Sequence, residues 1–70
     1  MFVIKSNITG KEYEPKACVF IKNVAQAGKY IKHNAELLDL TVAYDGKLTF
    51  VFSLEGTKDL YEKWLENKLN

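Results

Sequence analysis

Leu38-Asp39-Leu40-Thr41-Val42-Ala43-Tyr44-Asp45-Gly46-Lys47-Leu48-Thr49-Phe50-Val51-Phe52-Ser53-Leu54 is the stretch on which the fold turns. It holds two alternating runs around a turn. Leu38, Leu40 and Val42 alternate with Asp39, Thr41 and Ala43, and Leu48, Phe50 and Phe52 alternate with Lys47, Thr49 and Val51. A two-residue Asp45-Gly46 loop would set Val42 against Thr49 and Leu40 against Val51, mixing oily and polar faces. A three-residue loop, Tyr44-Asp45-Gly46, sets Val42 against Leu48, Leu40 against Phe50 and Leu38 against Phe52, and all six then share one face. A slip of one residue turns every side chain over, so the second register is expected. It implies a type I turn with a bulge and Gly46 in the left-handed region.

Upstream, Asn23 is a fitting N-cap for a helix running to about His33. On a 3.6-residue wheel, Val24, Ala27, Gly28, Ile31 and Ala35 fall on one side, the expected core face. Asn34 suits a left-handed stop, and Lys32 and His33 suit the negative end of the helix dipole. Before it, Ala17 to Ile21 is a short apolar run that reads as a buried strand. Phe2 to Ile8 and Lys11 to Glu14 read as two arms around Thr9-Gly10, the second ended by Pro15. Downstream, Thr57 is the expected N-cap of a last helix, with Asp59 in its first turn and Leu60, Tyr61, Trp64 and Leu65 as its apolar stripe. Leu69 falls off that stripe, which predicts either a frayed end or a partner contact. The expected fold is α+β: a small antiparallel sheet of three or four strands, in the order β-β-α-β-β-α, with both helices packed on one face and a crossover around the first helix. Residues 1–70 form one domain.

Seventy residues bury little surface, so a thin core is expected to be dense in aromatics or completed by a partner. The lone Cys18 cannot make an internal disulfide, and no Cys/His cluster has metal-ligand spacing. Met1-Phe2-Val3-Ile4-Lys5 is too short for a signal peptide, and no run approaches a membrane span. A cytoplasmic setting, no metal, no cofactor and no membrane follow as expectations. Net charge is +1 and every basic residue is lysine, which lowers the expectation of sequence-specific DNA reading or phosphoryl transfer.

Two surfaces are candidates for binding. The first is the outer face of the first helix, where Lys22, Gln26, Lys29 and His33 line up, flanked by Tyr30 and Lys32. Such a stripe fits an acidic partner or a nucleic-acid backbone; lysines on an outer face also simply solvate it. The second is the far sheet face, which carries Asp39, Thr41, Ala43, Lys47, Thr49, Val51 and Ser53. With helices on one face only, Thr41, Thr49 and Val51 would stand open to a partner or a second copy. That face lacks the paired aromatics of an RNA-stacking sheet. No catalytic residue is assigned: His33 has no relay partner by any motif, Cys18 sits in an apolar run, and Thr9-Gly10-Lys11 lacks the rest of a phosphate loop.

The run from Val19 to Leu65, about two-thirds of the chain, contains Phe20-Ile21-Lys22-Asn23, Gln26-Ala27, Tyr30-Ile31-Lys32-His33-Asn34-Ala35-Glu36-Leu37, Leu48-Thr49-Phe50-Val51-Phe52, Thr57, Leu60 and Trp64-Leu65. With Asp39 also among these residues, it resembles a group of short uncharacterised proteins from phages and prophages of low-GC Gram-positive bacteria, in which glycine is usual where Asn34 stands. The resemblance implies a phage or mobile-element accessory protein in the host cytoplasm. It carries over no catalytic or binding residue. The leading expectation is a non-enzymatic module that binds a protein, with inhibition of a host enzyme or defence system as its use. The alternative is a nucleic-acid-associated accessory protein using the lysine stripe; nucleic acid is the less favoured partner. A homodimer is compatible with either.

Overall fold

A computed structural model describes residues 2–70; Met1, which opens the Met1–Lys5 run, lies outside them. The chain forms β1 (Ile4–Lys5), β2 (Glu12–Tyr13), a 3-10 turn (Pro15–Ala17), β3 (Cys18–Ile21), α1 (Val24–Lys32), β4 (Leu37–Val42), β5 (Leu48–Ser53) and α2 (Leu54–Leu65). β3, β5 and β4 make a three-stranded antiparallel sheet in that order, and β1 and β2 pair separately. β3 and β4 are therefore parallel to each other and separated by β5, with α1 as the crossover between them.

The central hairpin has the expected register over its outer half: Val42 pairs with Leu48 and Leu40 with Phe50. Ala43 N–H donates to Lys47 O, Gly46 N–H donates to Ala43 O, and Gly46 has φ +83°. This is the three-residue Tyr44-Asp45-Gly46 loop. At the inner end a bulge intervenes between Leu37 and Asp39, so Phe52 faces Leu37 rather than Leu38. The bulge takes Leu38 out of the ladder, and its carbonyl accepts instead from Thr9 Oγ1 at 2.6 Å.

Both helices lie on the Phe52 side of the sheet. Ala27, Tyr30, Phe52 and Leu69 form the buried centre, packed by Val19, Ile21, Leu37, Phe50, Leu60 and Trp64. The Tyr30 ring meets Phe52 edge-on, centroids 5.5 Å apart at 71°, an arrangement that stabilises aromatic pairs beyond their area. Asn23 caps α1 as expected, its side chain accepting from Gln26 N–H at 3.1 Å.

Both helices end the same way. Asn34 (φ 69°) and Asn67 (φ 58°) take the left-handed conformation. Ala35 N–H reaches back to Tyr30 O and Lys68 N–H to Lys63 O, each closing a Schellman motif. The second motif turns the chain so that Leu69 drops into the core, 2% exposed. Leu69 is neither frayed nor spare.

Two expectations at helix starts and strand lengths differ. α2 begins at Leu54 with Ser53 as its N-cap, the Ser53 hydroxyl accepting from Gly56 N–H at 3.2 Å. Thr57 is inside the helix and buried, donating to Ser53 O at 2.9 Å. The N-terminal arms are two residues each rather than a strand from Phe2 to Ile8.

Candidate functional site

The far sheet face is not open. The β1–β2 hairpin covers it, anchored on the Asp39 carboxylate, which is 8% exposed. Ser6 Oγ donates to Asp39 Oδ1 at 2.6 Å, the Tyr13 hydroxyl donates to Oδ2 at 2.5 Å, and Leu40 N–H donates to Oδ1 at 2.8 Å. Under this cover Val51 is 0% and Thr49 3% exposed. Neither can meet a partner; of the three residues expected on an open surface, only Thr41 is exposed. Burial raises the Asp39 carboxyl, but the donors from Ser6, Tyr13 and Leu40 outweigh it and hold the group below its ordinary value. Burial first, and then the bond to Asp39, pushes the Tyr13 phenol up to about 12.

The expected stripe on α1 is also dispersed. Gln26 and Tyr30 face the core, not solvent: Tyr30 is 1% exposed, and Gln26 Nε2 donates to its hydroxyl at 2.9 Å. The helix is rotated from the phase that counting apolar positions suggests, and the face it buries carries the Tyr30 ring packed against Phe52. Those two and Gly28 lie outside instead. Lys22 Nζ pairs with Asp45 at 2.7 Å and lies 5.8 Å from the Tyr44 ring centre. That bond, with a second from Lys47 N–H, lowers the Asp45 carboxyl. Lys29 Nζ lies 5.3 Å from the centre of the Trp64 ring. His33 Nε2 donates to Asn70 O at 2.7 Å. Lys32 is exposed. Most of the lysine stripe is thus committed to contacts within the chain.

Beside β3 the structure shows a feature that residue patterns did not single out: an apolar groove of about 520 Å³. It is lined by Val19 and Ile21 of β3, Tyr30 of α1, and Leu54, Tyr61 and Leu65 of α2, with Lys58 and Glu62 among them. α2 splits its expected stripe. Leu60 and Trp64 go to the core, while Tyr61 and Leu65 turn to the groove and stay half or more exposed, as does Leu54. The sequence signal was present in the spacing of Leu54, Tyr61 and Leu65, which recur at seven and four residues.

The groove offers little for chemistry. Thr57 Oγ1 and the Tyr30 hydroxyl are engaged within the chain, and Lys58 and Glu62 are exposed one helical turn apart. Elsewhere, Cys18 Sγ donates to Glu14 O at 3.3 Å, and burial, followed by the Glu14 charge, raises its thiol, away from the reactive thiolate. Among the described residues no group of three or more His, Cys, Asp or Glu side chains could hold a metal ion, and no helix is long and apolar enough to cross a membrane. No protein family, curated protein or solved structure matches the chain.

Proposed function

We propose that this protein is a non-enzymatic module that works by protein–protein contact, with the groove between α2 and β3 as its contact surface. The observation that carries this is the row Leu54, Tyr61 and Leu65, each about half exposed or more, standing beside Val19 and Ile21 on an edge strand. Contiguous exposed apolar surface of this kind marks interaction sites in small soluble domains. An enzyme or small-ligand site would add convergent polar groups to fix its substrate; of the hydroxyls lining the groove, those of Thr57 and Tyr30 are engaged within the chain. In the phage setting that the resemblance implies, the activity this surface fits is occupation of a host enzyme or defence protein. The nucleic-acid alternative has less support, since Lys22 and Lys29 are held by Asp45 and Trp64.

The test is affinity capture from Gram-positive host lysates with the wild type and with Tyr61→Glu, both confirmed folded by circular dichroism. A stoichiometric protein held by the wild type and lost from Tyr61→Glu supports the groove. A partner captured equally by both, or a salt-sensitive DNA gel shift with the wild type, contradicts it.

A further inference from the structure

The groove lies against a sheet edge, β3, on which no further strand pairs among the described residues. β3 pairs only with β5; at its start the Cys18 N–H donates back to Pro15 O, and among the described residues no other backbone hydrogen bond reaches its outer side. In an antiparallel ladder alternate residues direct both N–H and C=O away from their partner. With the Cys18 N–H taken by Pro15 O, Phe20 presents both groups outward and Cys18 its carbonyl, beside an oily wall. The edge has no charge, proline or bulge within it, the devices that usually blunt such edges. The other edge, β4, carries the Leu37/Asp39 bulge, and Thr9 takes its Leu38 carbonyl.

We propose that the occupant of the groove is a second copy of the chain, docked about a two-fold axis so that the two β3 edges pair antiparallel and the two α2 rows face each other. The proposal rests on the protein-docking reading above and names the protein. A two-fold contact must be self-complementary, and the residues satisfy this on both elements. On β3, Val19 and Ile21 stay on the helix side only if the strands pair in an even register. With Phe20 on the axis, Val19 faces Ile21 of the second copy, and the half-exposed Phe20 rings meet on the other side. On α2, an antiparallel approach sets Leu54 against Leu65 of the second copy and Lys58 against its Glu62. Apolar ends meet apolar ends, and each cation meets an anion twice over. Phe20, Leu54, Tyr61 and Leu65 expose on the order of 400 Å² of apolar side chain per copy, about half of the ~800 Å² that each partner of a standard interface buries. The backbone edge and the Lys58–Glu62 pairs add to this area.

Sedimentation equilibrium of the wild type, Lys58→Glu, the double variant Lys58→Glu/Glu62→Lys and Tyr61→Glu tests this, up to about 1 mM chain. The expected result is twice the chain mass for the wild type. Lys58→Glu should weaken association about tenfold, because two attractive pairs become repulsive; the double variant should restore it, and Tyr61→Glu should abolish it. Matching urea midpoints for the four proteins show that folding is not the cause. A wild type that stays at the chain mass overturns the dimer. So does a dimer indifferent to Tyr61→Glu and to both charge variants, since it would form elsewhere. The broader reading is separable: a monomeric wild type that still captures a host protein, and loses it with Tyr61→Glu, keeps the docking groove while the second copy is ruled out.

Discussion

Replacing Asp39 by alanine should detach the N-terminal hairpin from the sheet. The carboxylate is the acceptor for two buried hydroxyls, from Ser6 and Tyr13, that come from 33 and 26 residues away. A hydrogen bond to a charged group contributes about 1.5–3 kcal/mol, and a buried donor left without a partner loses a similar amount. Some of this returns when the freed hairpin lets water reach both hydroxyls, so a net loss of about 3 kcal/mol is expected. That is a large share of the roughly 4–10 kcal/mol available to a domain of this length. Asp39→Asn keeps the shape and one good acceptor oxygen, and should lose about half as much. Urea unfolding followed by Trp64 fluorescence gives the totals. Amide exchange gives the location: protection should fall at Glu12 and Tyr13 well before it falls at Phe50, Val51 and Phe52. A loss below about 1 kcal/mol for Asp39→Ala, or exchange that rises evenly over the whole sheet, would show that the carboxylate is not the anchor.

Other outcomes follow from the same contacts. Stability should depend on pH at both extremes. The Asp39 carboxyl is lowered in the fold, so its contribution is complete above the unfolded value of about 4 and is lost as pH falls through the lower folded value. The Tyr13 phenol is raised from its ordinary 10.0 to about 12, so the folded state holds that proton more tightly, and stability is lost as pH climbs from 10 to 12. Denaturant midpoints against pH should show both limbs, with Asp39→Asn removing the acid one and Tyr13→Phe the alkaline one; unchanged limbs would refute the assignment. Gly46→Ala should lower stability by about 1 kcal/mol through the left-handed backbone alone, since no atom stands within 4 Å of the added Cβ. An unchanged midpoint would contradict the turn. Leu69→Ala should lose about 2–3 kcal/mol, at the modest end for a core leucine because the segment after Asn67 can resettle; a loss under 0.5 kcal/mol would show that the C-terminal turn does not close the core.

The hairpin was legible because two local rules agree on it. Alternation gives Leu40, Val42, Leu48 and Phe50 one face, and the only compatible loop puts glycine where φ is positive. Asn23 and Asn34 were legible for the same reason, since a cap depends on its immediate neighbours. What depended on distant partners was not. Asp39 alternates like any solvent-facing residue, and only its contacts with Ser6 and Tyr13 place it under a second layer. That layer closes the face on which Thr49 and Val51 were expected to stand open. The phase of α1 was missed because a wheel weights Val24 and Ile31 like Tyr30, whereas the ring buries more surface and Gln26 satisfies its hydroxyl. Ser53 was passed over as a cap because it also ends a strand, pairing with Cys18. The groove escaped because one apolar stripe on α2 serves two purposes, Leu60 and Trp64 inward and Tyr61 and Leu65 outward.

The most direct measurement is an isotope-filtered NOE experiment on an equal mixture of labelled and unlabelled chain at about 1 mM. Cross-peaks between Leu54 methyls of one copy and Leu65 methyls of the other, with Val19 to Ile21 contacts across the strands, are the predicted result. Filtered spectra without those peaks, in a sample whose intramolecular contacts from Leu60 and Trp64 to the core are intact, would contradict the two-fold docking on β3 and α2.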